Sequence, residues 1–330
     1  SDLPLRYLAA ADVLAAMPDL DERLALAERT LVALVADAEL PAKIAVHPRP
    51  DGSFAHAMPA HLRGPDPAGG DDLVGMKWVA GYPDNGALGL PAIHAVVVLN
   101  DPGTGRPIGI LDGGPITAMR TAAVSGVAIA RYAPAIGGRA PRAGLIGAGV
   151  QGHSHLAILG RTLPGVRLRV YDRDAERAGL LCETARITAG IADATVAPDA
   201  RSAVTEADVV VTAASFGPVR QVMTGQWLAP DALVVPVDYA TYCAAEVARD
   251  AALFLVDHRD QFLANREAGL FEDYPDPAAT IGEALLAATP RPAGGRVVVT
   301  HLGVGLADVV FGSAILRRAE MLGLGVLLNR

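Results

Sequence analysis

The sequence contains little cysteine, few aromatic residues and little charge, and each shortage excludes a class of protein. Its 330 residues include two cysteines, Cys182 and Cys243, which lack the CxxC spacing of metal and redox sites. We therefore expect a reducing, cytoplasmic setting and no disulfide framework. Aromatic residues make up 5% and charged residues 19% of the chain, against 51% hydrophobic residues. This composition excludes intrinsic disorder and predicts a large buried core.

The chain also lacks a basic block and a long apolar run. Its 28 Lys and Arg residues and 36 Asp and Glu residues give a formal net charge of −8, which argues against nucleic acid as a partner. Apolar runs such as 209–219 are shorter than the ~18–20 residues of a membrane-spanning helix, so no membrane partner is expected. The start, SDLPLRYLAA, lacks the basic and apolar regions of a signal peptide. The length allows two domains, and the apolar surplus favours burial between subunits.

Hydrophobic periodicity predicts a mixed helical and antiparallel region at the start of the chain. Apolar residues recur at helical spacing over 20–38, and a turn at 49–52 separates two short strand-like stretches. Three further strands are expected at 73–81, 92–100 and 106–113. Because no helix separates these strands, they should pair antiparallel. Pro115 is expected to open a helix that ends near Tyr132.

After Gly137 and Gly138, strands alternate with helices or loops, which is typical of a parallel sheet covered on both faces. Strands are expected at 143–147, 168–172, 208–215, 233–238, 252–257 and 296–300. Thr280 and Glu283 form a predicted capping box, and a last helix is expected over 306–322. The fold class is therefore α/β.

Residues 147–152 read GAGVQG, a GxGxxG motif that follows a predicted strand and opens a predicted helix. Gly147 permits the tight turn, Gly149 lets a pyrophosphate approach the backbone, and Gly152 lets the helix and strand pack closely. Asp172 ends the next strand, where it should accept hydrogen bonds from ribose hydroxyls. This favours NAD, although Arg173 leaves NADP possible because it could pair with a 2′-phosphate. The alternative is a glycine-rich turn in another α/β protein.

Three charged residues outside this motif are candidates for chemistry. Lys77 lies within an apolar strand, and Arg120 lies in the first turns of an apolar helix, where the helix dipole disfavours a cation. Lys77 must therefore end at a sheet edge, a partner or a ligand, and the alternative is a lysine that reaches the surface. Arg120 is expected to bind an anion, and the alternative is a structural ion pair. Asp238 ends a parallel strand, where it can face a nicotinamide or simply cap the turn. No histidine pair has metal-ligand spacing, so no metal is expected, and Cys243 is expected to be inert.

Taken together, these segments resemble the ornithine cyclodeaminase/mu-crystallin family of NAD(P)-dependent proteins. The resemblance is carried by MKWV at 76–79 with PDN at 83–85, AMRTAAVS at 118–125, the glycine motif, TAAS at 212–215 and GLAD at 305–308. It implies a doubly wound, Rossmann-type NAD(P)-binding domain, residues 132–304, inserted into an α+β domain for substrate binding and dimerisation. Residues 1–131 and 305–330 would form that second domain, and the protein would be a homodimer.

The resemblance also implies roles for individual residues. Asp238 and Lys77 would be catalytic, and Lys43, Lys77 and Arg120 would hold the substrate carboxylate, with His56 and Leu302 beside the substrate. The implied cofactor contacts are Arg120, Thr121, Gly147, Gly149, Val150, Gln151, Gly152, Asp172, Arg173, Thr212, Ala213, Ser215, Val235, Val237 and His301.

The sequence departs from the family pattern in three places. Lys43 replaces an arginine, so a bidentate grip on a carboxylate becomes a point charge. His56 stands where ornithine-acting members carry a glutamate. The stretch after Asp238 lacks the usual turn and looks longer. The last two departures lie at the expected substrate end and argue against a simple transfer of ornithine specificity.

The expected function is therefore an NAD(P)H-dependent reductase of α-imino acids, which in reverse is an amino-acid dehydrogenase. One alternative is a cyclodeaminase, in which NAD is reduced and reoxidised within one turnover. That enzyme must hold a cationic distal amine, for which His56 is poorly suited and Glu246 or Asp112 would be needed. The other alternative is a non-catalytic binder of small ligands.

Overall fold

The structure, a computed structural model, describes residues 4–65, 71–215 and 219–329. Its contacts divide the chain into two compact units. The first unit comprises Ser1–Arg120 with Gly303–Arg330, and the second comprises Thr121–Leu302. No helix in the described part of the chain is long and apolar enough to cross a membrane.

The described strands are β1 (Leu5–Leu8), β2 (Ala38–Glu39), β3 (Ile44–Val46), β4 (Phe54–Leu62), β5 (Leu73–Gly81), β6 (Ile93–Asn100), β7 (Pro107–Asp112), β8 (Arg142–Ile146), β9 (Val166–Tyr171), β10 (Ile191–Val196), β11 (Val209–Thr212), β12 (Leu233–Pro236), β13 (Leu253–Val256), β14 (Ala279–Thr280), β15 (Val297–Thr300) and β16 (Val326–Leu328). The α-helices are α1 (Ala10–Ala15), α2 (Leu20–Ala36), α3 (Gly113–Tyr132), α4 (Val150–Thr162), α5 (Ala175–Arg186), α6 (Ala200–Val204), α7 (Ala245–Arg249), α8 (Arg259–Glu267), α9 (Ile281–Leu286) and α10 (Gly305–Leu322). Short 3₁₀ turns cover Pro83–Leu88 and Gly225–Trp227.

The first unit is built on one mixed sheet with the strand order β16-β1-β7-β6-β5-β4-β2, and β3 pairs with β4. The pairs from β3 to β7 are antiparallel, as the sequence predicts. Helix α10 packs closely on one face of this sheet. A Cβ at Gly75 would lie 3.3 Å from the Val309 side chain, and one at Gly305 would lie 2.5 Å from the Met58 carbonyl oxygen. The chain ends meet here, because β1 pairs with both β16 and β7.

The second unit contains a parallel sheet with the order β10-β9-β8-β11-β12-β15-β13-β14. Every residue of β11, β12 and β15 is buried, which is why these strands read as continuous valine-rich runs without alternation. The strand order changes direction at β8, and the GxGxxG turn follows that strand. In open parallel sheets, ligands bind beyond the carboxyl ends of strands at this kind of switch point. The capping box of Thr280 and Glu283 is present at the start of α9.

One prediction about α3 is wrong. The helix begins at Gly113, before Pro115, because the Asp112 carboxylate accepts a hydrogen bond from the Gly114 N–H (2.8 Å) and holds the helix start. Arg120 therefore lies beyond the first two turns, where the helix dipole has little effect. The charge of Arg120, and not the helix dipole, is then the reason to expect an anionic partner.

Candidate dinucleotide and carboxylate sites

The turn between β8 and α4 contains three glycines with different steric roles. Gly147 has φ +105°, and a Cβ there would collide with the Ala213 carbonyl oxygen. A Cβ at Gly152 would collide with the Gly147 carbonyl oxygen. Gly149 differs, because a Cβ there would meet one described atom within 4 Å, Nη2 of Arg177 at 3.6 Å. The backbone of Gly149 is therefore open to a ligand, as a pyrophosphate beside the N-terminus of α4 requires.

Asp172 connects the end of β9 to this turn. Its Oδ2 accepts a hydrogen bond from the Ala148 N–H (2.7 Å), and its Oδ1 accepts one from the Asp174 N–H (2.9 Å). Each carboxylate oxygen has a second lone pair, so Asp172 can still accept from ribose hydroxyls. The carboxylate thus shapes the turn as well as offering a binding group.

A cavity of about 390 Å³ lies at this end of the second unit. Its lining residues are Ile146, Gly147, Gly149, Tyr171, Asp172, Arg173, Arg177, Ala213, Ala214, Ser215, Val219, Val222, Thr241 and Tyr242. The structure thus brings six of the predicted cofactor residues to one cavity, namely Gly147, Gly149, Asp172, Arg173, Ala213 and Ser215. Arg177 was not predicted, because a helix arginine carries no distinguishing sequence signal.

Asp238 lies just after β12 and is 2% exposed. Its Oδ1 accepts a hydrogen bond from the Thr212 hydroxyl (2.7 Å), and its Oδ2 accepts one from the Ala214 N–H (3.3 Å). Burial raises the pKa of this carboxyl to about 7, although both hydrogen bonds act in the opposite direction. Tyr239 then turns the chain sharply with φ +58°. Asp238 can therefore hold or release a proton near neutral pH, as a general acid or base must.

The remaining predicted cofactor and substrate residues of the second unit lie on or just after β12 and β15, and on helices α3 and α4. Val235 is buried within β12, and the Val237 N–H donates to the Thr212 carbonyl oxygen (2.8 Å). His301 and Leu302 follow β15, where both are buried. Val150 and Gln151 begin α4, and Thr121 is buried in α3.

The first unit contains a buried ion triad. Asp308, in the first turn of α10, is fully buried and lies between two cations. The Nζ of Lys77 is 2.6 Å from its Oδ2, and Nε of Arg120 donates to its Oδ1 at 3.2 Å. Burial lowers the pKa of the Lys77 ammonium to about 7, while Asp308 acts in the opposite direction. A Cβ at Gly303 would collide with the Arg120 guanidinium, so only a glycine at this position leaves room for that side chain.

Lys43 and His56 belong to the same part of the first unit. Strand register places Ala45 opposite His56. Burial, followed by the charges of Lys43, His47 and Lys77, lowers the pKa of His56 to about 4, so its ring is neutral at pH 7. Lys77 and Arg120 share the carboxylate of Asp308, and the positive charge of Lys43 acts on both Lys77 and His56. This surplus of positive charge suits an anionic ligand.

Asp308 is the member of this cluster to which the sequence alone assigns no role. The signal was present, because an aspartate within the apolar segment GLAD needs a buried partner. The partner could not be chosen from sequence, because Lys77 and Arg120 lie far away along the chain. In the described residues, no group of three or more His, Cys, Asp or Glu side chains could hold a metal ion.

The parallel sheet, the switch-point glycine turn and the acid after β9 define a dinucleotide-binding protein of the Rossmann type. Residues 11–310 match the model of the ornithine cyclodeaminase/mu-crystallin family, and the chain belongs to this family.

Individual relatives agree with this assignment. The chain is similar to nodulation efficiency protein NfeD of Rhizobium meliloti, with 34% identity and 88% of each chain covered. It is also similar to ketimine reductase mu-crystallin of Mus musculus, with 29% identity and 78% of each chain covered. A solved structure of Thermococcus litoralis Δ1-pyrroline-2-carboxylate reductase, in complex with NADH and L-proline, has the same fold: the TM-score is 0.84 at 24% identity, covering 98% of this chain and 99% of that one. The predicted family, the fold and the class of NAD(P)-dependent oxidoreductase acting on carbon–nitrogen bonds are confirmed.

Proposed function

We propose that the protein reduces α-imino acids with NADH, transferring hydride between the nicotinamide and the carbon that becomes Cα of the amino acid. The observation that carries this proposal is Asp238, a buried carboxyl whose pKa is raised to about 7 beside the strand ends of the dinucleotide-binding unit. Support also comes from the ketimine reductase among its relatives.

The two units have different tasks in this proposal. The second unit, expected from the sequence as 132–304, binds NAD through the N–H groups at the start of α4 and through Asp172. The first unit, expected as 1–131 with 305–330, holds the substrate carboxylate. Lys77 and Arg120 supply charged donors there, with Lys43 adding a third positive charge. Hydrogen bonds between charged groups in such buried surroundings are stronger than those between neutral groups.

Asp238 handles the proton of the reaction. In the reductive direction its carboxyl protonates the imine nitrogen, which makes the imine carbon a better hydride acceptor, and the carboxylate is then reprotonated from solvent. In the oxidative direction the carboxylate takes the proton from the amine nitrogen. NADH supplies the hydride, and NAD⁺ accepts it in reverse. Because protonated Asp238 is required, reduction should slow as the pH rises through about 7.

The charges of the first unit favour a reductase over a cyclodeaminase. A distal ammonium would meet the positive charges of Lys43 and Lys77 beside a neutral His56 ring, which offers it a single acceptor. Two acids, Glu246 and Asp112, offered an alternative, but the charges that act on His56 are those of Lys43, His47 and Lys77, and neither acid is among them. The substrate therefore carries a neutral or anionic side chain.

The protein forms a homodimer through the sheet face of the first unit that points away from α10. Strand register aligns Ile44, Ala57, Trp78 and Val96 in one row, and Ile44, Trp78 and Val96 are 64%, 43% and 38% exposed. An apolar row of this kind is typical of a subunit interface. A cytoplasmic location is supported by the two cysteines, which are buried free thiols.

The decisive experiment is a substrate panel followed by NADH absorbance. It contains cyclic imino acids and 2-oxo acids with ammonia or methylamine, and L-ornithine and L-lysine are assayed beside them for ammonia release. We expect net NADH oxidation with at least one imino acid and no rapid ammonia release. Conversion of ornithine to proline and ammonia without a net change in NADH would overturn the proposal.

A further inference from the structure

Three buried polar side chains of the second unit form a chain that the proposed mechanism does not use. The Oγ of Ser125, on α3, lies 2.8 Å from Nε2 of His155, on α4, and 2.8 Å from Nε2 of His301, after β15. His155 Nδ1 lies 2.6 Å from the backbone carbonyl oxygen of Gln151. Ser125 and His155 are fully buried, and His301 is 2% exposed. Buried polar groups at these distances are hydrogen-bonded to one another.

The direction of each hydrogen bond follows from the chemistry of the groups. A carbonyl oxygen only accepts, so His155 carries its proton on Nδ1. Burial keeps His155 neutral, because it lowers the pKa of the ring to about 4, and Nε2 must then accept the Ser125 hydroxyl proton. A hydroxyl has one proton to give, so His301 must donate its Nε2–H to the Ser125 oxygen. His155 is therefore a neutral ring with its proton on Nδ1, whereas His301 carries a proton on Nε2.

We propose that Ser125 and His155 are positioning residues that hold the His301 imidazole, with its proton on Nε2, at the nicotinamide end of the dinucleotide site. The chain begins at Gln151, directly behind the glycine turn, and ends beyond β15. Strand β15 pairs with β12, whose carboxyl end leads to Asp238. The three side chains thereby connect the turn expected to bind the pyrophosphate to the strand ends expected to receive the nicotinamide. This inference rests on the proposed function only in assuming that NADH binds there.

The first test measures the histidine tautomers in the wild-type chain and uses variants only to assign the signals. Two-bond ¹H–¹⁵N spectra of histidine-labelled protein distinguish Nδ1–H from Nε2–H, and spectra of His155→Gln and His301→Gln assign the two rings. We expect Nδ1–H for His155 and Nε2–H for His301. The same tautomer at both residues would overturn the proposal. This readout does not depend on turnover, so it stands even if the imino-acid panel fails.

The second test is Ser125→Ala, with Ser154→Ala as the matched control. Ser154 is a buried serine that donates to the same Gln151 carbonyl (3.0 Å) but is not part of the chain. Because Ser125→Ala leaves a buried N–H without its acceptor, NADH Kd by fluorescence titration should rise about tenfold, and the His301 signals should shift. KM for NADH should rise, while the dependence of kcat on pH, set by Asp238, should not move. Unchanged NADH affinity with unchanged His301 signals, or an equal loss in Ser154→Ala, would overturn the proposal.

Discussion

Asp308→Asn should destabilise the protein strongly, because it removes the counter-charge of two buried cations. Lys77 Nζ and Arg120 Nε lie 2.6 Å and 3.2 Å from the carboxylate oxygens, and none of the three residues is more than 5% exposed. Removing one partner of a buried ion pair costs on the order of 3–5 kcal/mol. For domains of roughly 150–250 residues, each kcal/mol lowers Tm by about 2–4 °C, so we expect a fall in Tm on the order of 10 °C.

The destabilisation caused by Asp308→Asn should depend on pH, with a sign set by Lys77. Burial lowers the pKa of Lys77 from 10.5 to about 7, and Asp308 limits that fall. Below pH 7, wild-type Lys77 is protonated and attracted to Asp308, whereas above pH 7 it is neutral and this attraction is lost. The gap in stability between variant and wild type should therefore widen as the pH falls through 7.

Thermal melting of both proteins at about pH 6 and about pH 9 measures this effect. Asp101→Asn is the control, since Asp101 is a turn carboxylate of the same unit that accepts from the Thr104 N–H (2.8 Å), and its loss should cost at most about 1 kcal/mol. In kinetic assays, kcat/KM for carboxylate substrates should fall at least about tenfold with Asp308→Asn, because the two cations lose their orientation. A Tm and a KM within error of wild type at both pH values would refute the reasoning.

Three further predictions concern the proton, the cofactor and the subunit interface. Asp238→Asn should lower kcat at least about 10²-fold with NADH still bound. The variant should also melt at a higher temperature than the wild type above pH 7. The pKa of Asp238 is raised from 3.8 to about 7, so the wild type loses stability as the pH rises between these values, and the neutral Asn does not. Wild-type turnover in the variant would mean that Asp238 is only a turn residue. Asp172→Asn keeps an oxygen for the Ala148 N–H but loses the charge that repels a 2′-phosphate. Titration with both cofactors should therefore show about tenfold less preference for NADH over NADPH than in the wild type. A preference of the wild type for NADPH would contradict this prediction. Trp78→Lys should give monomers in sedimentation velocity, and an unchanged sedimentation coefficient would exclude this face as the interface.

Local patterns in the sequence were sufficient for most of the fold. The continuous apolar runs of β11, β12 and β15 predicted buried parallel strands, and GxGxxG predicted the turn between β8 and α4. These features depend on residues that are close in the chain. The short strands β1 and β16 at the chain ends were missed, because β16 is an exposed three-residue strand and β1 has only four residues. Such strands exist only because the sheet supplies partners.

Sequence alone also identified Lys77, Arg120 and Asp238 as candidate site residues, because each is a charge in an apolar setting or at a strand end. Only the tertiary structure decided what each charge meets. Asp308 became the counter-ion of two cations, and Ser125 joined His155 to His301, through contacts between residues far apart in the chain. The pKa values of about 7 at Lys77 and Asp238 also arise there, since desolvation is a property of the packed surroundings and not of the residue type.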